Sequence, residues 1–237
     1  MKVLLIFLLI SIISSDQVSD ILQNIKNSPR YPTKKEEILI MCEILLREGY
    51  PIAFTAGIVA NMIQENNFGK FESSKYRDPS ERPQYLKYMD ELYYYRIRYS
   101  EKSVTEVSLR ELKRLLEKLE SDNWKKGKFG LGSLQWSEGR ALHLVDHYNK
   151  QCNNRDKITK DEVTAAETNM IFEELNNTYN NIYLSWEKEY PNKDGISAAY
   201  KAGYMICVLY VKSSDSIKKS PQMGKHSVQV YDMMNGK

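Results

Sequence analysis

The chain has little cysteine, proline and glycine, and no large excess of charge of either sign. Its 237 residues include 3 Cys, 7 Pro and 11 Gly, and 34 basic residues stand against 31 acidic ones. So few prolines and glycines exclude a collagen-like or linker-dominated chain. The near balance of charge gives no sign of a nucleic-acid-binding surface. Hydrophobic residues make up 42% of the chain, so the composition is that of a folded, near-neutral protein with a buried core.

The three cysteines, Cys42, Cys152 and Cys207, are few for a secreted protein. At most one internal disulfide can form among them, which leaves one thiol over. Cys42 and Cys207 lie inside apolar stretches, where a thiol usually acts as a small core side chain. None belongs to a CxxC pair or a Cys–His cluster, so the sequence gives little support for a cysteine zinc site or for thiol catalysis.

The chain has one long hydrophobic run, and it lies at the N terminus. Lys2 precedes an apolar run of about ten residues that ends at the small residues Ser14 and Ser15, a pattern typical of a signal peptide. The alternative is an uncleaved membrane anchor, for which the run is short because a transmembrane helix needs about twenty apolar residues. We therefore expect a signal peptide over residues 1–15. The mature chain, residues 16–237, would be secreted or delivered to a vacuolar or lysosomal lumen, free of the membrane.

Helix signals recur along the mature chain, whereas sustained strand alternation does not. Thr33, Ser108 and Thr159 are each followed three residues later by Glu, the pattern of a capping box, and Ser137 resembles a further N-cap. Apolar spacing predicts helices over about residues 34–46, 51–66, 137–150 and 196–211, with a short one over 227–233. The sequence predicts an all-α fold with one domain and a charged helical insert at about residues 77–123.

The second predicted helix carries an unusual carboxylate. From Ile52 to Ile63 it is apolar nearly all round, which indicates a buried central helix. Glu65 follows in the last turn, on the same face as Asn61. Partial burial and the negative end of the helix dipole would both disfavour its charged form and raise its pKa. A raised pKa suits a general acid for glycoside cleavage; the alternative is a side chain that simply reaches solvent at the helix end.

Two segments carry a resemblance to a known family. The first, from Ala56 to Phe68, has the pattern of a helix ending in Asn-x-x-x-Glu-Ser-x-Phe, with Asn66 in place of the usual Ser. The second, from Gly130 to Arg140, has the form Gly-x-x-Gln-Trp with an Arg shortly after. Together they resemble the phage tail lysozyme family, which is related to goose-type lysozymes and lytic transglycosylases. The resemblance implies a lysozyme-like helical domain in which Glu65 is the catalytic acid and the Gln135–Trp136 loop faces it across a saccharide cleft.

Further side chains complete the candidate site. Glu72, in the loop after the acid, is the candidate second carboxylate and could activate water; Glu138 is the runner-up. Gly130 and Gly132 would let the backbone approach a ligand closely. The side chains expected to bind saccharide are Asn61, Tyr76, Ser133, Gln135 and Trp136. For Trp136 the alternative is an aromatic plug under the loop.

Two other functions compete with a glycosidase. His143 and His147 lie four residues apart on one helix face and could bind zinc. The segment differs at one position from the H-x-x-E-H pattern of zinc peptidases, with Asp146 in place of Glu. No third ligand is obvious in the sequence, so a zinc peptidase is the weaker alternative. The other is a non-catalytic saccharide-binding protein on the same scaffold. The sequence favours a secreted lysozyme (muramidase) or lytic transglycosylase that acts on bacterial peptidoglycan in an antibacterial or digestive role, with no metal and no cofactor.

Overall fold

The computed structural model describes residues 14–65, 67–71, 102–124, 130–211 and 215–237, and for Glu65 the backbone alone. Nine α-helices and no β-strand occur in these ranges. The predicted all-α fold is confirmed. The helices are α1 (Ser15–Asn27), α2 (Lys35–Arg47), α3 (Ile52–Glu65), α4 (Leu109–Ser121), α5 (Gly139–Gln151), α6 (Lys160–Asn176), α7 (Asn180–Glu189), α8 (Ile196–Met205) and α9 (Ser216–Met234). A 3₁₀ turn covers Val104–Glu106, and a π-helix, Ile206–Val211, continues α8.

The predicted signal peptide lies almost wholly outside the described residues. Residues 77–101 of the predicted insert also lie outside them. The rest of the insert holds the 3₁₀ turn and α4, which is helical as expected. None of the helices that the structure describes is long and apolar enough to cross a membrane.

Helix starts test the capping predictions. Ser108 accepts a hydrogen bond from the Glu111 N–H, and Thr159 forms a complete capping box with Glu162, so both of these starts are confirmed. The other two predictions were wrong. α2 begins one residue later than the Thr33 box requires, with Lys34 at the N-cap, and α5 is preceded by Glu138 rather than Ser137.

The C-terminal helix is much longer than the sequence predicts. A helix was expected over residues 227–233, whereas α9 spans Ser216–Met234 and contains Pro221. Its first half has few apolar residues, but small side chains there are buried and allow close packing against α8. The Ser227 hydroxyl donates to the Ala199 carbonyl at 2.6 Å, and Gly203 in α8 has no room for a Cβ, which would lie 2.6 Å from the Met223 carbonyl oxygen.

The chain divides into two compact units, one formed by residues up to 60 with 182–237 and the other by residues 61–181. In the first unit, α1 packs on α2 and α9, and α8 packs on α9. Its core includes an aromatic cluster in which the Phe54 and Trp186 ring centroids lie 5.0 Å apart. The Trp186 indole N–H donates to the Ala198 carbonyl at 2.9 Å, which satisfies the one polar atom of a fully buried ring.

The second unit contains the candidate functional loops. In it α5 packs between α4 and α6, burying leucines along α4 together with Leu144 and Val145 of α5. All three cysteines are buried, and none forms a disulfide among the described residues, so the expectation that Cys42 and Cys207 act as core side chains is confirmed.

Candidate active site

α3 is buried along nearly its whole length. Residues 53–63 are all buried, and this includes Asn61, which is 2% exposed. A buried helix with no solvent-facing side fits the predicted central helix. It ends at Glu65, so the backbone places the candidate acid in the last turn, one helical turn after a buried amide side chain.

The loop that follows α3 lies beside the glycine-rich loop. The Gly132 N–H donates to the Lys70 carbonyl at 2.9 Å, and Phe71 and Leu131 form a bridge pair. Leu131 and Trp136 exchange two backbone hydrogen bonds of 2.9 Å each, so residues 131–136 form a tight turn. The segment that directly follows the first sequence motif therefore pairs through its backbone with the second motif, which begins about sixty residues later in the chain.

Glu167 of α6, which is not among the residues predicted for the site, connects both loops. Its Oε1 accepts the Gly69 N–H at 2.7 Å, and its Oε2 accepts the Ser133 N–H at 2.8 Å. The Tyr148 hydroxyl of α5 donates to Oε1 at 2.8 Å. The carboxylate is 0% exposed. One buried side chain thus holds the loop after the candidate acid, the glycine-rich loop and α5 together.

The electrostatics of this cluster follow from its burial. Burial raises the pKa of Glu167, and the hydrogen bonds from Ser133, Gly69 and Tyr148 oppose that rise. Burial and the adjacent Glu167 together raise the pKa of Tyr148 well above its usual value. Because Tyr148 stays protonated, it remains a hydrogen-bond donor to the carboxylate.

A sequence signal for Glu167 existed. In α6 it stands among Val163, Ala166, Met170 and Ile171, all of them buried. Between Val163 and Phe172 it is the one carboxylate in a mostly apolar stretch, a pattern similar to that of Glu65 at the end of an apolar helix. Its partners could not be read from the chain, because Gly69 lies 98 residues away.

The glycines of the second loop pack against protein rather than leaving room for a ligand. A Cβ on Gly130 would lie 2.6 Å from the Gln135 Oε1, and a Cβ on Gly132, whose φ is +79°, would lie 2.9 Å from the Glu167 Oε1. The Gln135 side chain also donates to the Gly132 carbonyl at 2.8 Å. The expectation of close ligand approach at these glycines is therefore corrected: Gln135 and Glu167 occupy that space.

Trp136 takes the alternative position, the plug under the loop. Its ring is 1% exposed, and its indole N–H donates to the Glu174 carboxylate at 3.2 Å. Ser133 is likewise fully buried. Neither side chain is exposed in this structure, and their roles in saccharide binding stay predictions. Asn61 is buried as well, whereas Gln135 is half-buried; their roles also stay predictions.

Arg140, the last residue of the second motif, fastens the loop to α6. Its Nε and one terminal nitrogen donate to the two oxygens of Glu174 at 2.8 and 2.7 Å. Such a two-pronged ion pair is stronger and more directional than a single contact. The guanidinium also lies over the Tyr179 ring, 5.5 Å from its centroid.

Several predicted side chains lie outside the described residues. Glu72 and Tyr76 belong to that part of the chain, as does the side chain of Glu65. Glu138 has a φ of +56° and stands at the N-cap of α5. Its candidacy as a second carboxylate stays a prediction, as does that of Glu72.

The histidine pair lies in the same unit. His143 and His147 of α5 both face Glu173 of α6, at 3.0 and 3.2 Å from Nε2 to carboxylate oxygen. Burial and the neighbouring His143 lower the pKa of His147, against the opposing effect of Glu173. Asp146, the residue that would serve as the base of a zinc peptidase, instead pairs with Lys113 at 2.7 Å. The Asp146 carboxylate is therefore engaged by Lys113 of α4, and the peptidase stays the weaker alternative.

The model of the phage tail lysozyme family matches residues 36–234, most of the chain. The chain belongs to the phage tail lysozyme family. The resemblance read from the two motifs is thereby confirmed, and with it a lysozyme-like, glycosidase-type enzyme whose substrate is peptidoglycan. No curated protein and no solved structure matches the chain.

Proposed function

We propose that the protein is a secreted muramidase that cleaves the β-1,4 bond between N-acetylmuramic acid and N-acetylglucosamine, with Glu65 as the general acid. Secretion rests on the predicted signal peptide. Killing or digesting bacteria is the role that a secreted enzyme of this family would serve.

The observation that carries the proposal is the pairing of the second family motif with the segment that directly follows the first. α3 delivers Glu65 at its end, the next residues run through Gly69 to Phe71, and this stretch pairs with the glycine-rich loop at Leu131. The buried Glu167 carboxylate accepts a backbone hydrogen bond from each of the two segments. A loop held at two points can keep a sugar in a constant position relative to the helix end, which is the orientation that glycoside cleavage requires.

The position of Glu65 supports a role as acid rather than as permanent carboxylate. The last carbonyls of a helix carry partial negative charge. That charge disfavours a second negative charge nearby, so a glutamate in the last turn holds its proton more readily. A protonated carboxyl can then donate to the glycosidic oxygen.

The proposed reaction has one first step and two alternative second steps. Glu65 gives its proton to the glycosidic oxygen as the C1–O bond breaks, and the sugar left behind carries oxocarbenium character. In the hydrolase version water adds to C1 and loses a proton to a base, for which Glu72 is the candidate. In the transglycosylase version the 6-hydroxyl of the muramic residue adds to C1 and forms a 1,6-anhydro ring, returning its proton to a carboxylate.

The test is digestion of purified bacterial sacculi by the mature chain, with the soluble products analysed by mass spectrometry. Wild type should release muropeptides, and E65Q should release at least about a hundredfold less, since general acid catalysis contributes about 10²–10⁴-fold. E48Q is a matched control, because Glu48 also ends a helix and is exposed. It should retain full activity.

The products separate the remaining possibilities. Reducing ends indicate a hydrolase, and 1,6-anhydro ends indicate a transglycosylase. If wild type and E65Q release equal amounts, Glu65 is not the acid. If neither releases anything while both bind sacculi, the protein is a saccharide-binding module and the proposed chemistry is wrong.

A further inference from the structure

A cluster of metal-ligating side chains lies on the surface between α5 and α6, and the glycosidase chemistry makes no use of it. It consists of His143 and His147, one turn apart on α5, and Glu173 on α6. Their ligand atoms all lie within 4.8 Å of one another. The sequence shows the histidine pair but not its third member, because Glu173 is 30 residues from His143 and joins it only through helix packing.

The donor set selects the metal. Two imidazole nitrogens and one carboxylate oxygen suit Zn²⁺ and related first-row ions, whereas Ca²⁺ and Mg²⁺ take oxygen ligands almost entirely. Two histidines and one glutamate also form a known ligand set for zinc that keeps a fourth position for water.

Two of the distances between ligand atoms are close to those found at a tetrahedral ion. With zinc bonds of about 2.0–2.1 Å, neighbouring ligand atoms at a tetrahedral ion lie about 3.3 Å apart. Here the His143 Nε2 lies 3.0 Å from one oxygen of Glu173, and the His147 Nε2 lies 3.2 Å from the other. The imidazole rings meet edge to face with centroids 4.8 Å apart, and each Nε2 faces a different oxygen of the same carboxylate.

One nitrogen of the cluster, the Nε2 of His147, lacks a hydrogen bond among the described residues. Its side chain is 10% exposed, and among the described residues its buried Nε2 has no hydrogen-bond partner in spite of the nearby carboxylate. A buried polar atom without a hydrogen bond is costly. A metal ion between the three side chains would satisfy this nitrogen directly.

We propose that His143, His147 and Glu173 form a zinc-binding site that links α5 to α6, with its fourth position open to solvent. α6 also supplies Glu167 and Glu174, which hold the loops of the candidate active site. The bound ion would therefore stabilise the scaffold behind those loops. This inference is independent of the muramidase proposal, since it depends on binding and not on turnover.

The test is equilibrium binding of Zn²⁺ alone to the untagged mature chain after removal of metal with a chelator. A chromophoric zinc indicator gives affinity by competition, and elemental analysis after dialysis gives stoichiometry. H143Q and E173Q are suitable variants because both side chains are well exposed, at 44% and 47%, so their loss leaves the core intact. H226Q is the matched control, because His226 is the third histidine and belongs to the other unit.

Wild type and H226Q should each bind one zinc ion per chain, and H143Q and E173Q should bind it more than about tenfold more weakly. Zinc in excess should raise the unfolding temperature of wild type and H226Q by about 5 °C or more, and leave the other two nearly unchanged. Equal binding by all four proteins, no stoichiometric binding by wild type, or weakening in only one of the two ligand variants would overturn the three-ligand site. None of these outcomes bears on muropeptide release.

Discussion

The carboxylate of Glu167 accepts the backbone N–H of Gly69 at 2.7 Å, so a buried side chain of α6 holds the loop that directly follows the candidate acid. The same carboxylate accepts the Ser133 N–H of the glycine-rich loop. A single acidic group therefore binds both the second family motif and the residue that directly follows the first. A hydrogen bond from an N–H to a charged acceptor is about twice as strong as a neutral one, which makes this connection rigid.

Replacing Glu167 should destabilise the protein strongly. E167A removes the acceptor of two backbone N–H groups and of the Tyr148 hydroxyl, all in a fully buried place. Each buried donor left without a partner costs about 1–3 kcal/mol. We expect the free energy of unfolding, measured by urea denaturation, to fall by about 3 kcal/mol or more.

Y148F provides the graded comparison for this cluster. It removes one donor and leaves the carboxylate with both backbone partners, so it should cost about 1 kcal/mol. A loss from E167A no larger than that from Y148F would show that the two backbone hydrogen bonds contribute little.

A second prediction concerns the contact between α3 and α8. A Cβ added to Gly57 would lie 2.6 Å from the Ala202 Cβ and within 2.8 Å of backbone atoms in α8. Alanine gains about 1 kcal/mol over glycine in a helix interior, but overpacking of this kind costs about 1–3 kcal/mol. Backbone cannot move aside easily, so G57A should lower the unfolding temperature.

G139A is the control for Gly57. At Gly139, in the first turn of α5, the nearest atom to an added Cβ is 3.8 Å away, so alanine fits there without a clash. We expect G139A to be neutral or slightly stabilising. Equal effects of G57A and G139A would mean that α3 and α8 adjust to the added methyl group.

The ion pair between Arg140 and Glu174, which links the second motif to α6, should have a larger coupling free energy than a typical surface pair. Arg140 donates to both oxygens of Glu174, whose side chain is 11% exposed. A double-mutant cycle with R140M and E174Q should give a coupling free energy of about 1–2 kcal/mol. The exposed pair between Glu43 and Arg47 on α2 should give about 0.5 kcal/mol or less. Equal couplings would refute the special role of the two-pronged pair.

Local sequence patterns predict much of this fold because their causes are local. The caps at Ser108 and Thr159 are set by residues three positions apart, and the burial of α3 follows from its nearly continuous apolar sequence. The extent of α9 has a different origin. Ser220, Gly224 and Ser227 are buried, and the last two contact α8, so small or polar residues form a packed face that the apolar pattern does not show.

In the candidate site, too, the sequence predicts the features with local causes and not those set by distant contacts. Glu65 and the glycine-rich loop were found because their motifs are contiguous in sequence. Glu167 and Glu173 were missed because their partners lie 98 and 30 residues away. Trp136 shows a further limit: a Gly-x-x-Gln-Trp pattern establishes a tight turn, but only packing decides whether the ring faces a cleft or the core, and here it faces Glu174 and the core.

The capping box of α6 should make part of the stability depend on pH. The Thr159 N–H and hydroxyl both donate to Glu162, and Arg155 contacts the same carboxylate. The Thr159 backbone N–H is the main cause that lowers the pKa of Glu162 below its usual range. A carboxyl whose pKa is lower in the folded than in the unfolded chain stabilises the fold above the unfolded value, about 4.3, and loses that contribution as the pH falls through the folded value.

E162Q keeps the shape and the acceptor oxygen but not the charge. Its unfolding temperature should therefore lie below that of wild type at pH 7, and the two should converge below about pH 4, the ordinary range of glutamate titration. Thermal unfolding followed by circular dichroism from pH 7 to pH 3 measures this difference directly, and a gap that stays constant over that range would show that the charge of Glu162 does not stabilise the helix start.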